Sequence, residues 1–249
     1  MKPVNIERQE YKPSSYAFCT IAIGEEYLQS AINFANKLNE FSDEHHYVII
    51  TKGDTPAIQN TTFVQIPINQ PLFIQNIFNY NLKYLPIKIS SELGFEYIFF
   101  VDSDWKLENE FSTKKINTVI SFMETNNYDM LFERPHSIGE GKHDKNNCFW
   151  KHKRDFYKLL ETDEYDKGHV ANEQFLVFKN SEKLKTFISF WEELTYSSTE
   201  SNVWAFAEGV EIGMSSAKAN LNWCYYGWQD ILNNCFSFVT KDVKYYKRF

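Results

Sequence analysis

The chain has 249 residues, 43% apolar and 24% charged, which suits one large globular domain with a sizeable core. A formal charge of −7, with no dense basic run before the last nine residues, argues against a nucleic-acid partner. Cys19, Cys148, Cys224 and Cys235 show no CxxC spacing, which argues against a structural zinc site and a disulfide scaffold and favours reduced thiols.

The opening Met1–Arg8 lacks the apolar stretch of a signal peptide, and no run of 18 apolar residues follows anywhere. The expectation is a cytoplasmic chain without a membrane span. Tyr16–Ile23 is a continuous apolar run ended by Gly24, as in a buried parallel strand. Glu25 and Glu26 then suit the positive first turn of a helix whose Leu28, Ala31, Ile32, Ala35 and Leu38 recur at helical spacing. Tyr47–Thr51 is a second strand, closed by Lys52, Gly53 and Asp54, and Phe63–Ile66 is a third, ended by Pro67. The stretch 72–93 is expected to be helical in two pieces, with Pro86 in the first turn of the second, where proline is tolerated.

Glu96–Val101 has the strongest strand pattern in the chain and runs directly into Asp102, Ser103 and Asp104. Ile116, Val119, Ile120 and Met123 mark a helix, and Tyr128–Phe132 a further strand. Residues 134–172 are polar, contain Gly139, Gly141 and Gly168, and predict a long irregular insertion. Gln174–Phe178 is again a strand. Ser181 can cap a helix carrying Leu184, Phe187, Ile188, Trp191 and Leu194 on one face, and another helix starts near Ala207–Gly209. The alternation predicts an α/β fold, a mostly parallel Rossmann-like sheet with helices on both faces. Ligands in such sheets bind beyond the carboxyl ends of the strands.

Asp102 and Asp104 are spaced i, i+2 at the end of a buried strand, so strand alternation puts both carboxylates on one side. Two like charges held together repel and are costly to desolvate. A hard divalent cation, Mn²⁺ or Mg²⁺, removes that cost, with diphosphate oxygens and water completing its shell. The plain alternative is a pair of solvated aspartates in a strand-to-loop turn.

The segment Ile98–Trp105 (Ile-Phe-Phe-Val-Asp-Ser-Asp-Trp) resembles the DxD motif of GT-A glycosyltransferases, and Asn79–Lys83 through Ile87 and Leu93–Phe95 is similar to the region before that motif in families 6 and 8. The resemblance spans roughly residues 16–220 and is specific only at the motif. It implies a GT-A fold over the whole chain, with a nucleotide-binding half at about 14–110, a sugar and acceptor half at about 111–240, and a basic-aromatic tail at 241–249. It implies transfer of a hexose or N-acetylhexosamine from a nucleotide sugar, UDP-linked by analogy, to a glycan or other hydroxyl acceptor. Families 6 and 8 lean toward retention of configuration.

The same resemblance assigns expectations residue by residue. Thr20, Ala22 and Gly24 cradle base and ribose, or are plain strand and turn. Asp54 reaches uracil or ribose, or is a turn residue. Lys83 approaches the diphosphate, or is a solvated helix lysine. Ser103 touches the ribose, and Trp105 packs beneath the metal loop. Asn172 and Glu173 meet sugar hydroxyls, with Trp204 beside the substrate. Glu208 is the first choice and Glu211 the second for the active-site carboxylate, acting as base or stabilising a cationic sugar; alternatively Glu208 merely favours a helix dipole. The six histidines all lie at or before His169, away from the family's late metal ligand, so the third ligand stays open with Asp230 a substitute. Lys241, Lys244, Tyr245, Tyr246, Lys247 and Arg248 either fold over the diphosphate or fray.

Three rival functions fit the sequence less well. An aspartyl-phosphate phosphatase wants Thr or Val where Lys106 stands. A sugar nucleotidyltransferase wants a Gly-rich basic loop where Gly24, Glu25 and Glu26 are acidic. A non-catalytic carbohydrate-binding protein would suit the aromatics but not the paired carboxylates.

Overall fold

The structure is a computed structural model that describes residues 15–52, 54–66, 82–103, 107, 113–137, 169–200 and 208–224, with the backbone alone at 113, 133–137, 169–174, 196–200, 208 and 210. Within these residues the strands are β1 (Tyr16–Ala22), β2 (Tyr47–Thr51), β3 (Thr61–Gln65), β4 (Tyr97–Val101), β5 (Met130–Ser137), β6 (His169–Lys179) and β7 (Trp223–Cys224). The helices are α1 (Glu25–Phe41), α2 (Tyr84–Glu92), α3 (Thr113–Asn126), α4 (Glu182–Glu200) and α5 (Glu208–Lys218).

The strands form one sheet in the order β3-β2-β1-β4-β6-β5-β7. β1 pairs in parallel with both β2 and β4, and β2 with β3. β6 enters between β4 and β5 antiparallel to both, while β7 runs parallel to β5. Six described strands thus point one way and β6 the other, an α/β fold with a mostly parallel mixed sheet.

The continuous apolar runs explain this placement. All residues of β1, β2 and β4 are buried, as strands covered on both faces must be. β3 is partly exposed, in keeping with its place at the edge. Alternation divides each inner strand between two cores. Ala17, Cys19, Ile21, Ile98 and Phe100 pack with Ile87 of α2, Trp191 of α4 and Ile212 of α5. Phe18, Tyr47, Phe99 and Val101 pack with Phe34 of α1 and Val119 of α3.

One stretch departs from expectation. The expected irregular stretch 134–172 is strand at both described ends, because β5 continues to Ser137 and β6 begins at His169. These polar residues pair with one another, Ser137 opposite His169 and Glu133 opposite Asn172, so the ladder satisfies their backbones without an apolar pattern. The register shifts on either side of Glu133, and Pro135 falls in the second irregularity, where the missing N–H is tolerated. The second helical piece expected in 72–93 is α2, with Pro86 in its first turn; the first piece lies outside the described residues.

Candidate functional site

In this strand order the chain turns one way from β1 to β2 and β3 and the other way to β4, so the switch point of the sheet lies between β1 and β4. Strands diverge in connection there, which opens a crevice beyond their carboxyl ends. Gly24 follows β1 at this edge, and Asp102 and Ser103 follow β4.

Two buried hydroxyls tie the strand ends. The regular β1–β4 pairing stops at Cys19 and Phe100, and Thr20 extends it by donating from Oγ1 to the Val101 carbonyl at 2.7 Å. Thr51 Oγ1 donates to the Ala22 carbonyl at 2.7 Å. The residue next to Asp102 is therefore held by a side chain of β1. Gly24 turns the chain into α1 at φ 111° and ψ 148°, a region essentially reserved for glycine.

Asp102 follows Ile98 and Phe100 in parity, both on the α2 side of the sheet. Lys83 meets it from that side, with its Nζ 2.9 Å from Asp102 Oδ1. The lysine side chain is 3% exposed and the carboxylate 20% exposed. Lys83 occupies the N-cap position of α2 and lies over the Phe100 ring, its Nζ 5.7 Å from the centroid. A buried ammonium at the positive end of a helix is doubly unfavourable alone. The Asp102 carboxylate offsets both costs, and no acidic residue in the first turn of α2 does so. The solvated helix lysine, the alternative for this position, gives way to a buried one paired with Asp102. Lys83, Ile87 and Ser90 sit at i, i+4, i+7, and that spacing marks the lysine as inward-facing.

The other expected site residues are distributed as follows. Thr20 and Ala22 are fully buried in β1, and Ser103 is nearly buried beside Asp102. Asp54 is exposed in the loop after β2, on the carboxyl-end edge of the sheet. Asn172 and Glu173 lie in β6 and Glu208 is the first residue of α5; only their backbones are described. Glu211 is wholly buried one turn into α5, where its Oε2 accepts from Trp191 Nε1 at 2.8 Å and lies 3.4 Å from Thr195 Oγ1. That carboxylate joins α4 to α5. Its spacing with Ile212 and Ser215, both buried, could have marked it as inward-facing in the sequence. Asp104, Trp105, Trp204, Asp230 and the 241–249 tail lie outside the described residues.

Some reactive side chains serve the fold instead. Burial pushes the Cys19 thiol well above its ordinary range, so it is no nucleophile at neutral pH. His46, at the opposite end of β2 from the site, is lowered to about 4 by burial; it bonds Thr62 Oγ1 at 3.0 Å and packs against Phe95. No group of three or more His, Cys, Asp or Glu residues suited to a metal occurs among the described residues. No described helix is long and apolar enough to cross a membrane.

No family model and no curated protein matches the chain. Among solved structures, the fold is similar to the galactosyltransferase LgtC in complex with donor and acceptor sugar analogs, at 11% identity and TM-score 0.44, over 84% of this chain and 72% of that one. It is also similar to the glycosyltransferase GlyE of Streptococcus pneumoniae TIGR4, at 9% identity and TM-score 0.49, over 86% of this chain. The match spans only 45% of the GlyE chain.

Proposed function

We propose that the chain is a glycosyltransferase that takes a hexose or N-acetylhexosamine from a nucleotide sugar, UDP-linked, and passes it to a hydroxyl acceptor. The observation that carries this reading is Asp102: a partly exposed carboxylate at the carboxyl end of β4, at the switch point of the sheet, with a buried lysine against it. A carboxylate and an ammonium side by side suit a diphosphate with its divalent cation, one for each sign of charge.

The donor chemistry fits Mn²⁺ or Mg²⁺. Such ions need only one or two carboxylates when substrate phosphates supply other oxygens. Asp102 offers hard oxygen, and Asp104 carries the second carboxylate in the sequence. When bound, the cation neutralises charge on the departing diphosphate. In this reading Lys83 binds the same diphosphate by charge-assisted hydrogen bonds. Gly24, Ser103 and Asp54 supply contacts to base and ribose, Thr20 and Ala22 are fully buried and support that strand end from beneath, and Asn172, Glu173 and Trp204 meet sugar and acceptor. Glu208 is the first candidate to accept the acceptor's proton or to stabilise a cationic sugar. Glu211, next in that role, would first have to leave Trp191.

A hydrolysis screen over nucleotide sugars, with Mn²⁺ and with chelator, tests the reading. Metal-dependent release of UDP from one donor, lost in Asp102→Asn, is expected. Equal release by Asp102→Asn without metal would overturn it. Metal-dependent UDP binding with no turnover on any donor or acceptor would instead identify a binding protein of the same fold.

A further inference from the structure

The Lys83–Asp102 pair constrains how the site can fill. The Lys83 side chain is 3% exposed, and its Nζ lies over the Phe100 ring and 2.9 Å from Asp102 Oδ1. Burial and the ring beneath it keep this ammonium from retreating into water. A divalent cation approaching Asp102 therefore meets a positive charge within hydrogen-bond distance of the oxygen it needs. Like charges so close oppose each other strongly where water is scarce. A diphosphate changes the balance, because its oxygens can take the lysine while coordinating the cation.

We propose that Lys83 is an exchangeable counter-ion for Asp102: it suppresses binding of the free cation and transfers to the diphosphate when nucleotide and cation arrive together. This rests on the reading that Asp102 receives the cation. Lys83 is then a positioning residue whose task is to make cation and nucleotide binding mutually dependent. By linkage the effect is reciprocal, so UDP tightens the cation by the factor that the cation tightens UDP. The acidic Glu25 and Glu26 at the start of α1 do not neutralise the incoming anion, whereas Lys83 and the cation do.

The test is direct Mn²⁺ binding to the full chain, followed by the paramagnetic resonance signal of the free ion, with and without UDP. In the native chain UDP should tighten Mn²⁺ about tenfold or more. Lys83→Met and Lys83→Gln should bind Mn²⁺ alone about tenfold more tightly than the native chain, with little further gain from UDP. Native Mn²⁺ affinity indifferent to UDP would overturn the proposal without any variant. So would Lys83 variants no tighter for Mn²⁺ alone, while Asp102→Asn abolishes Mn²⁺ binding with UDP; the cation site then stands and only the exchange fails. Full Mn²⁺ and UDP binding by Asp102→Asn would remove both ideas together.

Discussion

Replacing Asp102 by alanine should destabilise the protein in the absence of any ligand. The size follows from the two exposures, 3% for Lys83 and 20% for Asp102. Fully exposed pairs contribute about 0–1 kcal/mol. Removing one partner of a fully buried pair costs about 3–5 kcal/mol. This pair lies between those limits, so Asp102→Ala should cost about 2 kcal/mol. For a chain of this length that is a fall of about 4–8 °C in Tm. Asp102→Asn keeps an oxygen acceptor for the ammonium and should lose less. Urea midpoints and thermal melts in chelator measure both. The sign is the informative part. A carboxylate placed only to await a cation contributes nothing to the ligand-free fold, and its removal should not destabilise. A variant melting at or above the native temperature would refute the ion pair as the resting state of the site.

Other outcomes follow from the same geometry. Thr20→Val removes the hydroxyl that holds the Val101 carbonyl without changing side-chain shape, and should cost about 1–3 kcal/mol in urea unfolding, with weaker UDP binding; unchanged values for both would deny the tie a role. Among the described residues Gly24→Ala meets only Tyr27 Cδ2 at 3.5 Å, an ordinary contact, so its cost of about 1–3 kcal/mol should come from the backbone at φ 111°, and an unchanged melting temperature would contradict that conformation. His46 is held neutral in the fold, so the unfolded chain takes up its proton first as the pH falls. Stability is then complete above about pH 6.5 and declines by up to about 3 kcal/mol toward pH 4, a slope that His46→Gln should flatten.

How much of this was legible beforehand depends on which residues carry the signal. β1, β2 and β4 are apolar on both faces, so their runs announce themselves and place Gly24 and Asp102 at one edge. α5 begins at Glu208, as its spacing suggests. The insertion of β6 between β4 and β5 was not legible, since it joins residues far apart in the chain, such as Val101 and Phe175. Half of β6 is polar and reads as loop until its partner β5 is known. β7 is described over two residues, too short a stretch to carry a pattern. The lysine opposite Asp102 was visible as a residue but not as a partner, because its direction depends on how α2 packs on the sheet. Glu211 shows the reverse: an acidic residue near a helix start invites a chemical role, whereas here its carboxylate joins two helices through Trp191.

A crystal structure with UDP and Mn²⁺, carrying manganese anomalous density, tests the central claim most directly. The account predicts an anomalous peak about 2.1 Å from an Asp102 oxygen, with the diphosphate beside it and Lys83 Nζ turned from the carboxylate onto a phosphate oxygen. A nucleotide bound away from the carboxyl end of β4, with the Lys83–Asp102 pair intact, would contradict it.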